Sequence, residues 1–223
     1  MKSTESEPST YIVENLAQLY TAVVSDVLDS LGYRQQVLPP QIRPLTGARR
    51  IYGRAFTIHA KVVHEIPAEP YKLEIEAVDA AKAGEVLVAD VEDPASCGFW
   101  GELLTTACLY KHVNGALLNG CSRDMWKLKE MDFPVFGTGY HPADSKGRVD
   151  IDAIREPIII GDTKIKQGDY VLGDDDGTVI IPQSIAEETI RMAQEKMSGE
   201  NVAREALASG ETLGDVFRKY GIL

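Results

Sequence analysis

Apolar residues recur along this chain in three rhythms. Between Tyr11 and Gly32 they fall at Ile12, Leu16, Leu19, Val23, Val27 and Leu31. That three-to-four spacing predicts one amphipathic helix, with Gly32 as its C-terminal stop. "VLPPQIRPL", with three prolines, then interrupts regular structure. In "GRAFTIHAKVV" the positions Phe56, Ile58, Ala60 and Val62 alternate with others, the period of a half-buried strand. "YKLEIEAVDAAKAG" reads as a short helix ending at Gly84, and the nearly continuous run "EVLVADV" as a central strand.

The second half repeats these units and adds a third kind. "GELLTTACLYKHV" predicts a helix starting at Gly101, "GALLNG" a buried strand, "MWKLKEM" a short helix and "FPVFG" another strand. From Pro157 to Pro182 short β-branched runs alternate with Gly-Asp and Asp-Gly turns, which predicts hairpins. "SIAE", Ser184 to Glu187, has the spacing of a capping box, followed by a stripe at Ala186, Ile190, Ala193 and Met197. A second helix is expected from Glu200 to Ser209, stopped by Gly210, and a last one in "TLGDVFRKYGIL". Mixed βα units and hairpins give an α/β fold, built on a mixed sheet or on a β-sandwich flanked by helices. The expected organisation is a polar, flexible tail at 1–10, one α/β domain at 11–183 and a helical extension at 184–223.

The charge balance narrows the function. Among 223 residues, 34 Asp and Glu outweigh 23 Lys and Arg, for a net charge of -11. Such a surface repels phosphate backbones, so no nucleic-acid partner is expected; it suits small molecules or basic proteins. Cys97, Cys108 and Cys121 are odd in number and form no CxxC pair, as in reduced cytoplasmic proteins. The N-terminus lacks the apolar core of a signal peptide, and no apolar stretch reaches membrane-spanning length. The expected location is the cytoplasm.

Chemistry concentrates in "LLNGCSRDMWKL", where Arg123 and Asp124 stand just past a buried strand. A very short turn joins the helix from Gly101 to the strand from Gly115, so the two run antiparallel. The helix N-terminus and the Arg-Asp pair therefore share one end of the fold. Free amides after Gly101 suit a carboxylate, and Gly101 lets a ligand approach the backbone. Arg123 adds a planar fork for the same anion. Asp124 offers an oxygen ligand to Mg²⁺ or Mn²⁺, and Glu102 lies near enough to act on a metal-bound water. Together these suit a metal-chelated keto acid. Taken alone, the dipeptide is better read as a surface ion pair, or as Asp124 capping the next helix; the Gly-Glu-Leu-Leu helix start beside it turns the balance to the functional reading.

"SDVLDSLG", "GELLTTA", "NGCSRDMWKL", "FPVFG" and "GDDDGTVIIP" together resemble the motif set of the regulator of ribonuclease E activity A-like family. That family includes the 4-hydroxy-4-methyl-2-oxoglutarate/4-carboxy-4-hydroxy-2-oxoadipate aldolases. The resemblance implies a compact α-β-β-α sandwich of the swivelling β/β/α type, trimers or dimers of trimers, and sites at subunit boundaries. It further implies that Arg123 binds a pyruvyl group, that Asp124 anchors Mg²⁺ or Mn²⁺, and that the amides of Leu103 and Leu104 hold the substrate carboxylate. Glu102 stands where aspartate is familiar, as the residue working on a metal-bound water. A C-terminal glutamate of a neighbouring subunit completes the family's site; Glu200 is the candidate here, and the 184–223 extension is expected to pack on a neighbouring subunit. The activity so implied is a divalent-metal-dependent lyase that cleaves a 4-hydroxy-2-oxo acid to pyruvate, with oxaloacetate decarboxylation alongside. The alternative is a non-enzymatic protein-binding regulator of a ribonuclease.

Other motifs point away from chemistry. "GDDDG" lacks the remaining ligand spacing of a calcium loop and reads as a turn. His59, His64, His112 and His141 stand in no zinc-binding pattern. No GxGxxG or P-loop appears, which counts against nucleotide cofactors and S-adenosylmethionine.

Overall fold

The computed structural model describes residues 10–222. The expected tail therefore falls outside the described residues, except Thr10, which opens the first helix. The helix expected from Ile12 to Leu31 is two helices, α1 (Thr10–Leu16) and α2 (Thr21–Ser30). Between them the chain tightens through Gln18 N–H to Asn15 O and Leu19 N–H to Leu16 O. The apolar stripe survives because Leu16, Leu19, Val23 and Val27 all enter one core cluster. α2 restarts on a side chain far away in sequence: Asp174 accepts from the Thr21 amide at 2.9 Å and its hydroxyl at 2.6 Å. Gly32 ends α2 as expected. Its φ is +86°, and the bonds Tyr33 N–H to Leu28 O and Gly32 N–H to Asp29 O close a Schellman motif.

The remaining elements are β1 (Arg43–Pro44), β2 (Ile51–Val62), α3 (Lys72–Ala80), β3 (Glu85–Val91), β4 (Gly98–Trp100), α4 (Glu102–Tyr110), β5 (Gly115–Asn119) and β6 (Cys121–Ser122). After them come α5 (Met125–Leu128), β7 (Val135–Gly137), β8 (Gly139–Tyr140), β9 (Val149–Ile154), β10 (Ile158–Ile160), β11 (Thr163–Ile165), β12 (Tyr170–Asp174), β13 (Gly177–Ile181), α6 (Ala186–Ala208) and α7 (Leu213–Tyr220). The main sheet runs β1-β7-β5-β3-β2-β12-β13, with β9 also on β2. Strands β2, β3, β5 and β7 are parallel, and the others join antiparallel. "EVLVADV" is thus the central strand its apolar run predicts. The hairpins β10–β11 and β12–β13 stand where the Gly-Asp turns place them.

One short segment nearly closes this sheet. Leu38 N–H donates to Thr178 O and Ile180 N–H to Gln36 O on one edge, while Arg43 and Pro44 pair with β7 on the other. The expected α/β fold on a mixed sheet is what forms, and that sheet curls nearly closed on itself. Strand alternation sorts its two faces. Ile51, Ala55, Val86, Val88, Leu117, Phe136, Val171 and Ile180 fill the inside, plugged by Ile158, Ile160 and Ile165. Outward residues such as Phe56, Leu87, Ala116 and Leu118 pack under α3 to α5. Tyr170, Leu172, Val179 and Ile181 pack under α2 and α6. Val62, expected on the buried face of β2, is exposed, because the strand outruns the core there.

The C-terminal extension differs from its expectation in two ways. α6 is one helix of 23 residues, running through Ser198 and Gly199. Gly199 serves packing there: a Cβ on it would meet Ile222 Cδ1 at 2.7 Å. The Ser184 capping box does not form; a 3-10 turn at Gln183–Ile185 leads into α6, which has no side-chain cap. Ala186, Ile190 and Ala193 pack on the chain's own α2 cluster, and Ala203 and Ala206 meet Val216 of α7. Among the described residues no helix is long and apolar enough to cross a membrane.

Candidate active site

Beyond β5 and β7 the chain continues, after Gly120 and Thr138, into β6 and β8, which with β4 form a small parallel sheet. This sheet sets the candidate residues side by side. Arg123 N–H donates to Trp100 O at 2.8 Å, and Ser122 Oγ to the same carbonyl at 3.0 Å. Gly101, the next residue, is therefore pinned beside Arg123. Trp100 is buried, stacks on Phe133 and donates its indole N–H to Thr105 in the first turn of α4. The start of α4 is thereby held rigidly at the end of β5, as the short helix-to-strand turn predicted.

Asp124 has a left-handed backbone, φ +58°, and occupies the N-cap position of α5 without making a side-chain cap there. Its carboxylate turns to the other helix: Oδ2 accepts from the Glu102 amide, the first of α4, at 3.1 Å. Gly101 is required by this approach, since a Cβ at 101 would stand 2.6 Å from the same oxygen. The amides of Leu103 and Leu104 belong to the unpaired donors of a first helical turn, and both residues line a cavity of about 410 Å³. Gly101, Arg123, Asp124, Phe99 and Trp100 line it too.

A chain of charges crosses the cavity floor. Arg123 Nε lies 3.7 Å from Asp124 Oδ2, and Arg123 Nη1 lies 3.0 Å from Asp144 Oδ1. Tyr71, itself left-handed at φ +65°, donates its hydroxyl to the other oxygen of Asp144. That bond, reinforced by burial, pushes the Tyr71 phenol up to about 12, so it stays a donor at neutral pH. Glu74 on α3 completes the wall. Burial, and then the nearby Asp144 charge, raise its carboxyl to about 7, with Arg123 pulling the other way and Asp150 adding slightly.

The predicted residues do not all meet here. Gly101, Leu103, Leu104, Arg123 and Asp124 surround one space. Glu102 is not among the lining residues; its carboxylate accepts from Thr106 Oγ1, one turn along α4. Glu200 on α6 does not line the cavity of its own chain either; it accepts from the Tyr20 hydroxyl. Sequence reasoning missed Tyr71, Glu74 and Asp144. The only local hint was the acidic residue in the first turn of α3.

Among the described residues no three His, Cys, Asp or Glu side chains converge as a ready metal cage. The donors in the cavity are oxygens. Asp144 is committed to Arg123 and Tyr71, whereas Asp124 uses Oδ2 for these contacts. An oxygen-only set with few protein ligands fits a hard divalent cation that keeps most of its waters. Cys97, Cys108 and Cys121 are buried free thiols, and "GDDDG" is the β12–β13 turn.

A family model described as RraA-like, Aldolase/RraA, matches residues 21–180. Protein DlpA of Legionella pneumophila is 28% identical over 97% of this chain, which spans only 35% of that longer protein. A Halalkalibacterium halodurans protein, provisionally named a 4-hydroxy-4-methyl-2-oxoglutarate aldolase, is 27% identical over 84% of each chain. Among solved structures, Streptomyces coelicolor RraAS2, described as an unusual member of the RNase ES inhibitor RraA protein family, superposes with a TM-score of 0.78. The identity is 26%, over 89% of this chain and 99% of that one.

Proposed function

Because this chain belongs to the RraA-like Aldolase/RraA family, we propose that it is a divalent-metal-dependent lyase. It cleaves a 4-hydroxy-2-oxo acid to pyruvate and a second carbonyl compound, and it decarboxylates oxaloacetate as a side activity. The carrying observation is the single cavity in which the α4 amides, Arg123 and Asp124 meet. The provisional aldolase name of the H. halodurans relative supports the same chemistry.

Asp124 would hold Mg²⁺ or Mn²⁺, with water and substrate filling the other positions. Bound there, the cation supplies Lewis-acid polarisation of a 2-keto oxygen. The amides of Leu103 and Leu104 take the substrate carboxylate, favoured by the helix dipole. In the reaction the 4-hydroxyl loses its proton and the C3–C4 bond breaks. C4 becomes a carbonyl, and the electron pair passes into the enolate of pyruvate. Arg123 stands ready to stabilise that developing charge. Protonation at C3 then gives pyruvate. Glu102 is the proposed proton carrier, through water; for this its carboxylate leaves Thr106 and turns toward the helix start, the direction in which its Cα–Cβ bond leans. Glu200 would join the site only from a neighbouring copy, in a cytoplasmic trimer or dimer of trimers.

The test is pyruvate release from oxaloacetate and 4-hydroxy-2-oxo acids, read with lactate dehydrogenase. Mg²⁺ or Mn²⁺ should support turnover, and EDTA should abolish it. The RNase ES inhibitor description of the S. coelicolor neighbour favours a second reading, a ribonuclease-binding regulator. Silence toward every oxo acid, together with direct ribonuclease binding, would establish that reading instead.

A further inference from the structure

An arginine has many rotamers, and Arg123 serves an anion at the α4 start in few of them. Its fork is held from two sides. Nε lies 3.7 Å from Asp124 Oδ2, and Nη1 donates to Asp144 Oδ1 at 3.0 Å. Asp144 can hold that nitrogen only while its own carboxylate is held. Its backbone is anchored: Gly98 N–H donates to Ala143 O at 2.8 Å, and Arg148 Nη1 to Asp144 O at 2.9 Å. Its carboxylate has other pulls on it. Glu74, on the same wall, adds like charge as it ionises, and Arg148 is a rival cation. Against these stands one neutral donor, the Tyr71 hydroxyl on Oδ2. Tyr71 reaches it from a left-handed backbone, φ +65°, at the N-cap of α3. A bulky residue rarely adopts that conformation, and such strain gathers where a side chain must be aimed.

We propose that Tyr71 and Asp144 are positioning residues that brace Arg123 in its working orientation, and that Tyr71 acts only through Arg123. This rests on the lyase reading of the cavity and deepens it. The brace comes from α3 and from the loop after β8, outside both the Gly-Glu-Leu-Leu and the Arg-Asp motifs. It is a chain of two hydrogen bonds: Tyr71 fixes one oxygen of Asp144, so the other stays on Nη1 of Arg123. Without the hydroxyl, Asp144 is free to turn, and the guanidinium loses the partner that sets its plane.

A double-variant cycle tests this. Tyr71→Phe removes one oxygen and keeps the ring and the left-handed turn. With Mg²⁺ and oxaloacetate it should lower kcat about tenfold, the scale of one hydrogen bond to a charged group, with KM within about twofold. Asp144→Asn should lose at least as much, because the charge that holds Nη1 is gone. In an Arg123→Ala background, Tyr71→Phe should change kcat by less than about twofold. The same cycle is read without turnover by calorimetric titration of oxalate in Mg²⁺. There Tyr71→Phe should weaken oxalate severalfold when Arg123 is present, and not when it is alanine. Wild-type kcat and oxalate affinity in Tyr71→Phe, or equal losses with and without Arg123, overturn the proposal. Should no oxo acid yield pyruvate while the oxalate cycle shows the coupling, the lyase reading falls and the brace stands. Should pyruvate be released while Tyr71→Phe loses nothing, the lyase stands and the brace falls. A protein silent in both assays overturns both.

Discussion

Arg123→Ala should lower kcat/KM for metal-dependent pyruvate release on the order of 10²- to 10³-fold, with folding intact. The expectation follows from where charge develops. Enolate formation moves an electron pair onto the keto oxygen, and Arg123 is the cation lining the cavity. Its guanidinium is already set by Asp144 on one side and by Asp124 on the other, so it need not reorganise. Loss of stability should be slight, because both ion pairs are about one-third exposed and such pairs contribute little. Arg123→Lys should recover only part of the rate, since an ammonium cannot bridge Asp144 and substrate with one planar fork. Steady-state assays beside thermal melts check both halves. Activity within threefold of wild type in Arg123→Ala would remove Arg123 from the mechanism.

Asp124→Asn should be as damaging to turnover as the arginine change, yet nearly neutral for the fold. Asparagine can still accept from the Glu102 amide, so the α4 start keeps its partner. What disappears is the charge that draws a divalent cation, so activity should fall at least hundredfold and no longer respond to Mg²⁺. Asp124→Ala should lose the same activity and about 1 kcal/mol of stability besides, because the helix-start donor is left unpaired. Comparing the two variants by denaturant unfolding and by metal titration separates the capping role from the cation-holding one. Equal metal affinity in wild type and Asp124→Asn would show that the cation, if bound, sits elsewhere.

How much of this was legible in the sequence depends on how local the information is. The meeting of Gly101, Arg123 and Asp124 follows from one short turn, because a helix and strand so joined must lie antiparallel. The left-handed backbone of Asp124, which aims its carboxylate at α4 instead of its own helix, has no such signature. Tyr71 and Glu74 come from α3, and Asp144 from the loop after β8. In sequence Glu74 looks like Glu76, an acidic residue on a solvent face, and only the docking of α3 against β9 and α4 separates the two. The break between α1 and α2 was hidden for a related reason. Its apolar stripe is continuous, and the device that restarts α2 is Asp174, on the opposite side of the chain's length. Ser198-Gly199 misled in the other sense: the pair looks like a stop, but the glycine admits Ile222 against an unbroken helix. Glu102 shows the limit of reading roles from position, since its side chain leans along α4 to Thr106 and away from the cavity.

A crystal structure with Mg²⁺ and oxalate, a planar mimic of enolpyruvate, tests the central claim most directly. The expected result is one oxalate carboxylate on the amides of Leu103 and Leu104, the guanidinium of Arg123 on its oxygens, and the ion shared between oxalate and Asp124. An oxalate and ion bound together at any other place on the molecule, with this cavity holding only water, would contradict it.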